Sequence, residues 1–139
     1  MKNTRRIVAG RPAAHTVEFA IVSLVFFVVI LGIVEMCRVL MVCHLLEEAA
    51  RRGCRTVVIE GTSNTDAQTA IDNYLPTSGV NGYTMTVLVN DVVANASTAN
   101  SDDEVTVKVS VPISSVTWIP GNTYFFSGTL TEQSTLRRE

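Results

Sequence analysis

An uninterrupted run of sixteen uncharged residues, FAIVSLVFFVVILGIV, separates Glu18 from Glu35 and limits what this chain can fold into. As an α-helix the run would be about 24 Å long at ~1.5 Å per residue. The hydrocarbon core of a bilayer is about 30 Å thick, so a membrane span must also use flanking residues. We therefore expect a span over about residues 17–38, with Glu18 at the edge of the apolar layer. Membrane lipid is the first predicted partner.

The overall composition hides this segment. Of the 139 residues 47% are apolar, but residues 13–46 hold 26 of these 65 apolar residues, and the remaining 105 positions are only 37% apolar. Such an uneven distribution indicates an anchor joined to one modest, rather polar domain.

Charge is also unevenly distributed along the chain. Residues 1–17 carry four basic side chains and no acid, whereas residues 61–139 carry eight acids against three basic side chains. Because basic residues beside a span stay on the cytoplasmic side, we expect the N-terminus in the cytoplasm. The C-terminal domain would then lie in the periplasm or outside the cell, and the anchor in the inner (cytoplasmic) membrane. No basic surface indicates a nucleic-acid partner.

A cleaved secretory signal peptide is the main alternative reading of the first forty residues. The basic leader fits, but no small-residue A-x-A-like site follows the apolar run, where the sequence reads IVEMCRV. A retained anchor is therefore favoured. Cleavage by signal peptidase would instead release a secreted β-domain that lacks everything before about Glu35.

The helix is expected to continue beyond the span. Apolar residues recur at three-four spacing as far as Val57, and the pairs Glu47–Arg51 and Glu48–Arg52 have the favourable i,i+4 order. The predicted organisation is a leader at 1–13, a long helix at 14–60 and an exported domain at 61–139.

The exported part has the pattern of an α+β domain. Thr65 to Gln68 resembles a capping box at the start of a short helix, and apolar alternation predicts strands at 83–89, 104–111 and 129–136. The Asn- and Asp-rich segment 91–103 is expected to be a mobile loop. Residues 112–126 are expected to form a loop with aromatic anchors, including Trp118. The predicted fold is a long transmembrane-to-amphipathic helix packed on a small antiparallel sheet.

The sequence contains no pattern typical of catalysis. Cys37, Cys43 and Cys54 all lie on the proposed helix, and His15 and His44 make no metal-ligand spacing with them. We find no phosphate-binding loop and no defensible nucleophile, base and acid set. We therefore predict no enzyme activity, no metal, no cofactor and no small-molecule substrate. The cysteines are read as small residues at a packing seam, with an intermolecular disulfide as the alternative.

Glu18 is an unusual residue for the start of a membrane helix, because a carboxylate in lipid is costly. If the chain is cut between Ala13 and Ala14, the new α-amino group lies four residues before Glu18, one turn away on the same helix face. Glu18 could then pair with that amine or with the amine of a neighbouring subunit. A carboxylate that simply reaches headgroups and water is the equally weighted alternative. At the far end of the span Glu35 and Arg38 are spaced to neutralise each other partly.

These features together resemble the TadE-like pseudopilins, minor pilins of the Tad/Flp tight-adherence system, a type IVb pilus branch. The residues that carry the resemblance are RPAAHTVEFAIV, the uncharged run and EEAARRGCR, within residues 5–60. The resemblance implies a pilin-like fold and a processing site at Ala13 and Ala14. It also implies subunit pairing through Glu18 and Phe19, and an acid–arginine pair past the span, matched by Glu35 and Arg38.

The implied partners are a prepilin peptidase, other pilins and the inner-membrane assembly platform, and the implied function is structural support of pilus assembly, adhesion and secretion. The sequence departs from the family pattern at Ala13, where Gly is usual. The alternative function, from another class, is an envelope binding module held by an uncleaved signal anchor, with no filament role.

Overall fold

The computed structural model describes residues 11–117 and 128–138, with side chains described from Ala14 onward. The elements are α1 (Arg11–Val57), α2 (Asn64–Asp72), β1 (Thr84–Val89), β2 (Val92–Val93), β3 (Glu104–Pro112) and β4 (Thr129–Arg137). Three short 3-10 turns lie at Pro76–Ser78, Ala96–Thr98 and Ile113–Ser115. A long apolar helix and a four-stranded antiparallel sheet confirm the predicted α+β fold. Of the aromatic loop expected at 112–126, the part from Trp118 onward lies outside the described residues.

The α1 helix has 47 residues and runs from Arg11 to Val57, three residues earlier at both ends than the predicted helix 14–60. Pro12 fits the first turn because the main-chain N–H that proline lacks has no helical partner there. Val58 N still donates to Cys54 O at 3.1 Å. The chain then turns away, and Gly61 adopts φ +85°, a left-handed conformation that favours glycine.

The chain divides into two compact units at the Met36–Cys37 bond. In the first unit the side chains of the apolar run are exposed, and the most apolar eighteen-residue window of α1 contains no buried residue. Among the described residues, α1 is the one helix that is long and apolar enough to cross a membrane.

The second unit has one hydrophobic core between the later turns of α1, α2 and the sheet. At Gly53 the helix lies close to both neighbours, since a Cβ there would lie 3.0 Å from Ile71 Cδ1 and 3.3 Å from Val107 Cγ1. Cys54 is buried and its thiol donates to Val105 O at 3.3 Å. The packing-seam interpretation is thus confirmed for Cys54. The buried helix residues are Val42, Leu46, Ala49, Ala50, Cys54 and Val57.

The sheet order is β2-β1-β3-β4, and every pair is antiparallel. In β3 the valines at 105, 107, 109 and 111 are all buried, as the alternation predicts. The outermost strand β4 pairs Glu132 with Val109 and Ser134 with Val107, so these polar side chains share the core-facing side of the valines. On the other face Thr106 and Thr135 hydroxyls are hydrogen-bonded at 2.7 Å.

The predicted capping box of the short helix is wrong by two residues. The N-cap is Ser63, whose main-chain N–H donates to Asp66 Oδ2 at 2.7 Å, and Asp66 is the third helical residue. An acid at that position serves the capping box as well as the glutamine considered at Gln68.

The Asn-rich segment 91–103 contains more structure than the predicted loop. β2 pairs with β1, with Val92 opposite Val89, and a 3-10 turn follows. Asn64 supports the turn from α2, because its side chain donates to Ala94 O at 3.2 Å and accepts from Ala96 N at 2.8 Å. The Asn64 side-chain amide is thus the hydrogen-bond partner of main-chain groups that would otherwise be bonded to water.

Replacing Ile71 with Ala tests the core directly. Ile71 has 0% exposure and packs on Gly53, so we expect the free energy of unfolding to fall by about 2–5 kcal/mol through lost burial and a cavity. Ile59→Ala is the matched control, because Ile59 is 62% exposed. Chemical denaturation of the detergent-solubilised chain, followed by near-ultraviolet circular dichroism, measures both. Equal losses in the two variants would contradict the described core.

Asp103 gives the domain a pH dependence. Its carboxylate accepts from Asn90 Nδ2 at 2.8 Å and from Asn100 N at 2.7 Å, and these hydrogen bonds hold its pKa below the ordinary value. Because the folded pKa is the lower one, the stabilisation is present above the unfolded pKa of about 4 and is lost as pH falls through the folded pKa. Asp103→Asn should lower the melting temperature at pH 7 but much less near pH 2. Asp91→Asn is the control, and a pH-independent effect of Asp103→Asn would argue against the charged interaction.

Candidate functional site

The residues singled out at the start of the chain all lie in one helix. Ala13 and Ala14 fall within the first turns of α1, and Glu18 follows Ala14 by one helical turn. The Glu18 side chain is 77% exposed, and Phe19 beside it is 74% exposed. The helix therefore presents a carboxylate and an aromatic ring together, without burying either within the first unit.

His15 is a member of this group that sequence reasoning missed. Its Nδ1 lies 3.8 Å from Glu18 Oε2, across an i,i+3 spacing. The spacing itself was the available signal, since residues three apart are neighbours on a helix. When protonated, His15 places a positive charge next to the Glu18 carboxylate.

A shallow groove of about 580 Å³ lies on the apolar surface of α1 and begins at Phe19. Its lining is almost wholly apolar, with one hydroxyl from Ser23, and the rings of Phe26 and Phe27 meet edge to face with centroids 6.0 Å apart. Such a surface offers packing to lipid chains or to another apolar helix.

The two residues predicted for the far interface have different surroundings. Glu35 is only 3% exposed to solvent, and its Oε1 has no hydrogen-bond partner among the described residues. Within the second unit Arg38 Nε donates to the main-chain oxygen of Val116. The mutual neutralisation of Glu35 and Arg38 stays a prediction.

Further along α1 the predicted ion pairs are present. Arg51 Nη2 lies 2.5 Å from Glu47 Oε1, and Arg52 Nε lies 2.9 Å from Glu48 Oε1. The Arg52 guanidinium also lies over the Tyr74 ring, 4.3 Å from its centroid. The cation–π contact connects the exposed side of the helix to the segment after α2, whereas the two ion pairs lie within α1.

The cysteine thiols and histidine imidazoles of the described residues do not form a cluster. Cys37 is exposed, Cys43 half-buried and Cys54 buried, and all three are free. Burial raises the pKa of the Cys54 thiol, which makes it unreactive. Within residues 11–117 and 128–138 no three His, Cys, Asp or Glu side chains are grouped as a metal site.

The geometry defines a class: an α+β protein with one long helix whose first part is exposed and apolar and whose later part completes a small domain. Residues 14–55 match the family model described as TadE-like protein. The match covers the helix that carries Glu18, Phe19 and the ion pairs, and it confirms the resemblance drawn from the sequence. No curated protein and no solved structure matches the chain significantly. The matched segment comprises 42 of the 139 residues.

Proposed function

We propose that this protein is a TadE-like minor pilin or pseudopilin, a single-pass membrane component that supports assembly of a Tad-type pilus. One observation carries the proposal: the TadE-like match begins at Ala14, and Glu18 lies exposed one helical turn later. The role is structural and not enzymatic. The N-terminus lies in the cytoplasm and the α+β domain in the periplasm or outside the cell, as the basic leader favours.

In this proposal a prepilin peptidase removes residues 1–13 by cutting between Ala13 and Ala14. The new α-amino group is a cation at the start of a membrane helix, and Glu18 is an anion one turn away. Each charge alone is expensive in lipid, and pairing offsets part of that cost. Glu18 can instead pair with the α-amino group of a neighbouring subunit that is shifted along the helix axis. That pairing would fix the axial shift between the two subunits.

Phe19 and the apolar groove after it supply the packing that accompanies this pairing. In lipid, helices gain little from burying apolar surface as such, so close side-chain packing and polar contacts decide which helices associate. The exposed rings of Phe19, Phe26 and Phe27 provide shape for such packing. Other pilins and the inner-membrane assembly platform are the proposed partners.

Ala13→Trp tests the processing step. A prepilin peptidase pocket that accepts a small residue should reject the indole, so the variant should keep its leader and migrate as the longer form. Ala9→Trp is the control, since it makes the same change within the leader away from the proposed cut. N-terminal sequencing of the protein from piliated cells should begin at Ala14. A mature protein that begins at Met1 would remove the processing claim.

Glu18→Gln tests the pairing. The amide keeps the size of the side chain but cannot neutralise an amine, so pilus assembly should fall by about tenfold or more, as expected for loss of a desolvated charge pair. Membrane insertion should be unchanged or improved. Glu60→Gln, in an exposed position after α1, should have no effect on assembly. Electron microscopy counts the pili, and membrane fractionation measures insertion. Normal piliation in Glu18→Gln would contradict the proposed pairing of Glu18 with an amine.

The competing hypothesis is an envelope binding module that uses the same helix only as an anchor. Cross-linking in cells separates the two, because a pilus component should be captured with pilins or the assembly platform. Recovery of the protein without any of them, from cells that make pili, would favour the binding module.

A further inference from the structure

The exposed apolar surface of α1 continues past the end of the sixteen-residue uncharged run. Among residues 36–41 the exposed side chains are all apolar: Met36 is 53% exposed, Leu40 51% and Met41 61%, and Cys37 is exposed as well. Four neighbouring apolar side chains form a patch of the kind that marks contact with a membrane or with another protein.

The two charged residues in this part of the helix are turned away from that surface. Glu35 is enclosed, and Arg38 is half-buried. Within the second unit Arg38 Nε donates to the main-chain oxygen of Val116. The charged side chains are thus covered while the apolar ones are exposed, which is the reverse of a helix on the surface of a water-soluble domain. Lipid is the solvent that favours this arrangement, because a charged side chain that faces lipid is costly.

The character of the exposed surface changes after Met41. From residue 44 to the end of α1 the exposed side chains are polar or charged, and they belong to His44, Arg51, Arg52 and Arg55. The side chain of His44, the first of them, is 81% exposed. Water and lipid headgroups solvate such groups and acyl chains do not. The exposed side of α1 therefore has a boundary between residues 41 and 44.

This boundary agrees with the thickness of a bilayer. The uncharged run alone is about 24 Å long as a helix, shorter than the ~30 Å hydrocarbon core. From Phe19 to Met41 every exposed residue of α1 is uncharged, and a helix over residues 19–41 is about 34 Å long at ~1.5 Å per residue. The enclosure of Glu35 and Arg38 therefore supplies the length that the run lacks, and a moderate tilt accommodates the remainder.

The width of the patch favours lipid over a second helix as its partner. At about 100° per residue, positions 36, 37, 40 and 41 cover ~140° of the helix circumference. A seam between two helices is narrower, and in membranes it uses small or polar side chains that let the helices approach or hydrogen-bond. Met36, Leu40 and Met41 are neither small nor polar.

We propose that the membrane span covers residues 19–41 and that lipid contacts the exposed side of α1 as far as Met41. Arg38 and its hydrogen-bond partner Val116 then lie at the outer edge of the apolar layer, and the base of the α+β domain is set into the headgroup region. This inference goes beyond the proposed function. It depends neither on cleavage of the leader nor on the pairing of Glu18.

Spin labels on single cysteines test the depth of the helix in vesicles of phosphatidylethanolamine and phosphatidylglycerol. The full chain carries Cys37→Ser and Cys43→Ser, and Cys54 is kept because it is buried. Leu40→Cys and Met41→Cys then place a label on the proposed lipid contact. Both positions are exposed, so the label does not disturb the core.

Electron paramagnetic resonance compares relaxation of each label by O₂, which partitions into lipid, with relaxation by a water-soluble nickel chelate. Val28→Cys is the lipid control, since Val28 is 61% exposed within the uncharged run, and Arg55→Cys is the control for water. We expect the labels at positions 40 and 41 to be relaxed more by O₂ than by the chelate, as at position 28. His44→Cys should show the opposite order, as at position 55.

Stronger relaxation by the chelate at position 41 would place Met41 in water and overturn the inference. Weak relaxation by both reagents there would indicate contact with protein, from a second copy or a partner helix, and would also overturn it. The label at position 28 separates these results from failure of the anchor. If the chelate relaxes that label as well, the helix does not enter lipid, and the membrane anchor of the proposed function is wrong too.

Discussion

The apolar surface of the first half of α1 is the constraint on which the rest of the structure depends. Residues 19–34 carry no charge, and the most apolar window of the helix has none of its residues buried. Water would make such a surface unstable, so lipid or the helices of partner proteins must cover it. Among the described residues this helix is long and apolar enough to cross a membrane, which is consistent with a single-pass anchor. Its polar features, Glu18 first among them, have to be understood in that setting.

The second half of α1 solves a different problem with different residues. Ala49, Ala50, Gly53 and Cys54 are all buried, and all are small. Small side chains let the helix lie close to the sheet, and β-branched valines of β3 fill the space from the other side. The same helix thus carries bulky apolar residues where its side chains are exposed and several small ones where it packs on the sheet.

Sequence alone predicted what depends on local periodicity. The continuous helix and the alternating valines of β3 could be read directly, because burial repeats every three to four residues in one and every second residue in the other. Capping was misassigned because Thr65 and Ser63 both suit an N-cap, and only the chain path decides between them. β2 was missed because two residues make no pattern.

The burial of Arg138 could not be predicted, since its Nη1 donates to the main-chain oxygen of Ala96, 42 residues earlier in the chain. Glu35 is a similar case. A glutamate after an apolar run is ordinarily placed at an interface with its carboxylate in water, and no periodicity signals that this one is enclosed. Charged residues follow the general pattern less faithfully than valines do, because their burial is decided by a few specific neighbours.

The inner side of β4 has a consequence for how copies of this protein can meet. The last strand of the described sheet carries Glu132 and Ser134 on the side where its neighbour carries Val109 and Val107. A further strand that joined this edge would help to enclose a carboxylate, a device by which natural sheets discourage edge-to-edge growth. Crowded side by side at a membrane surface, such domains would be kept from fusing into a continuous sheet. Contacts between copies would then have to use surfaces other than this strand edge.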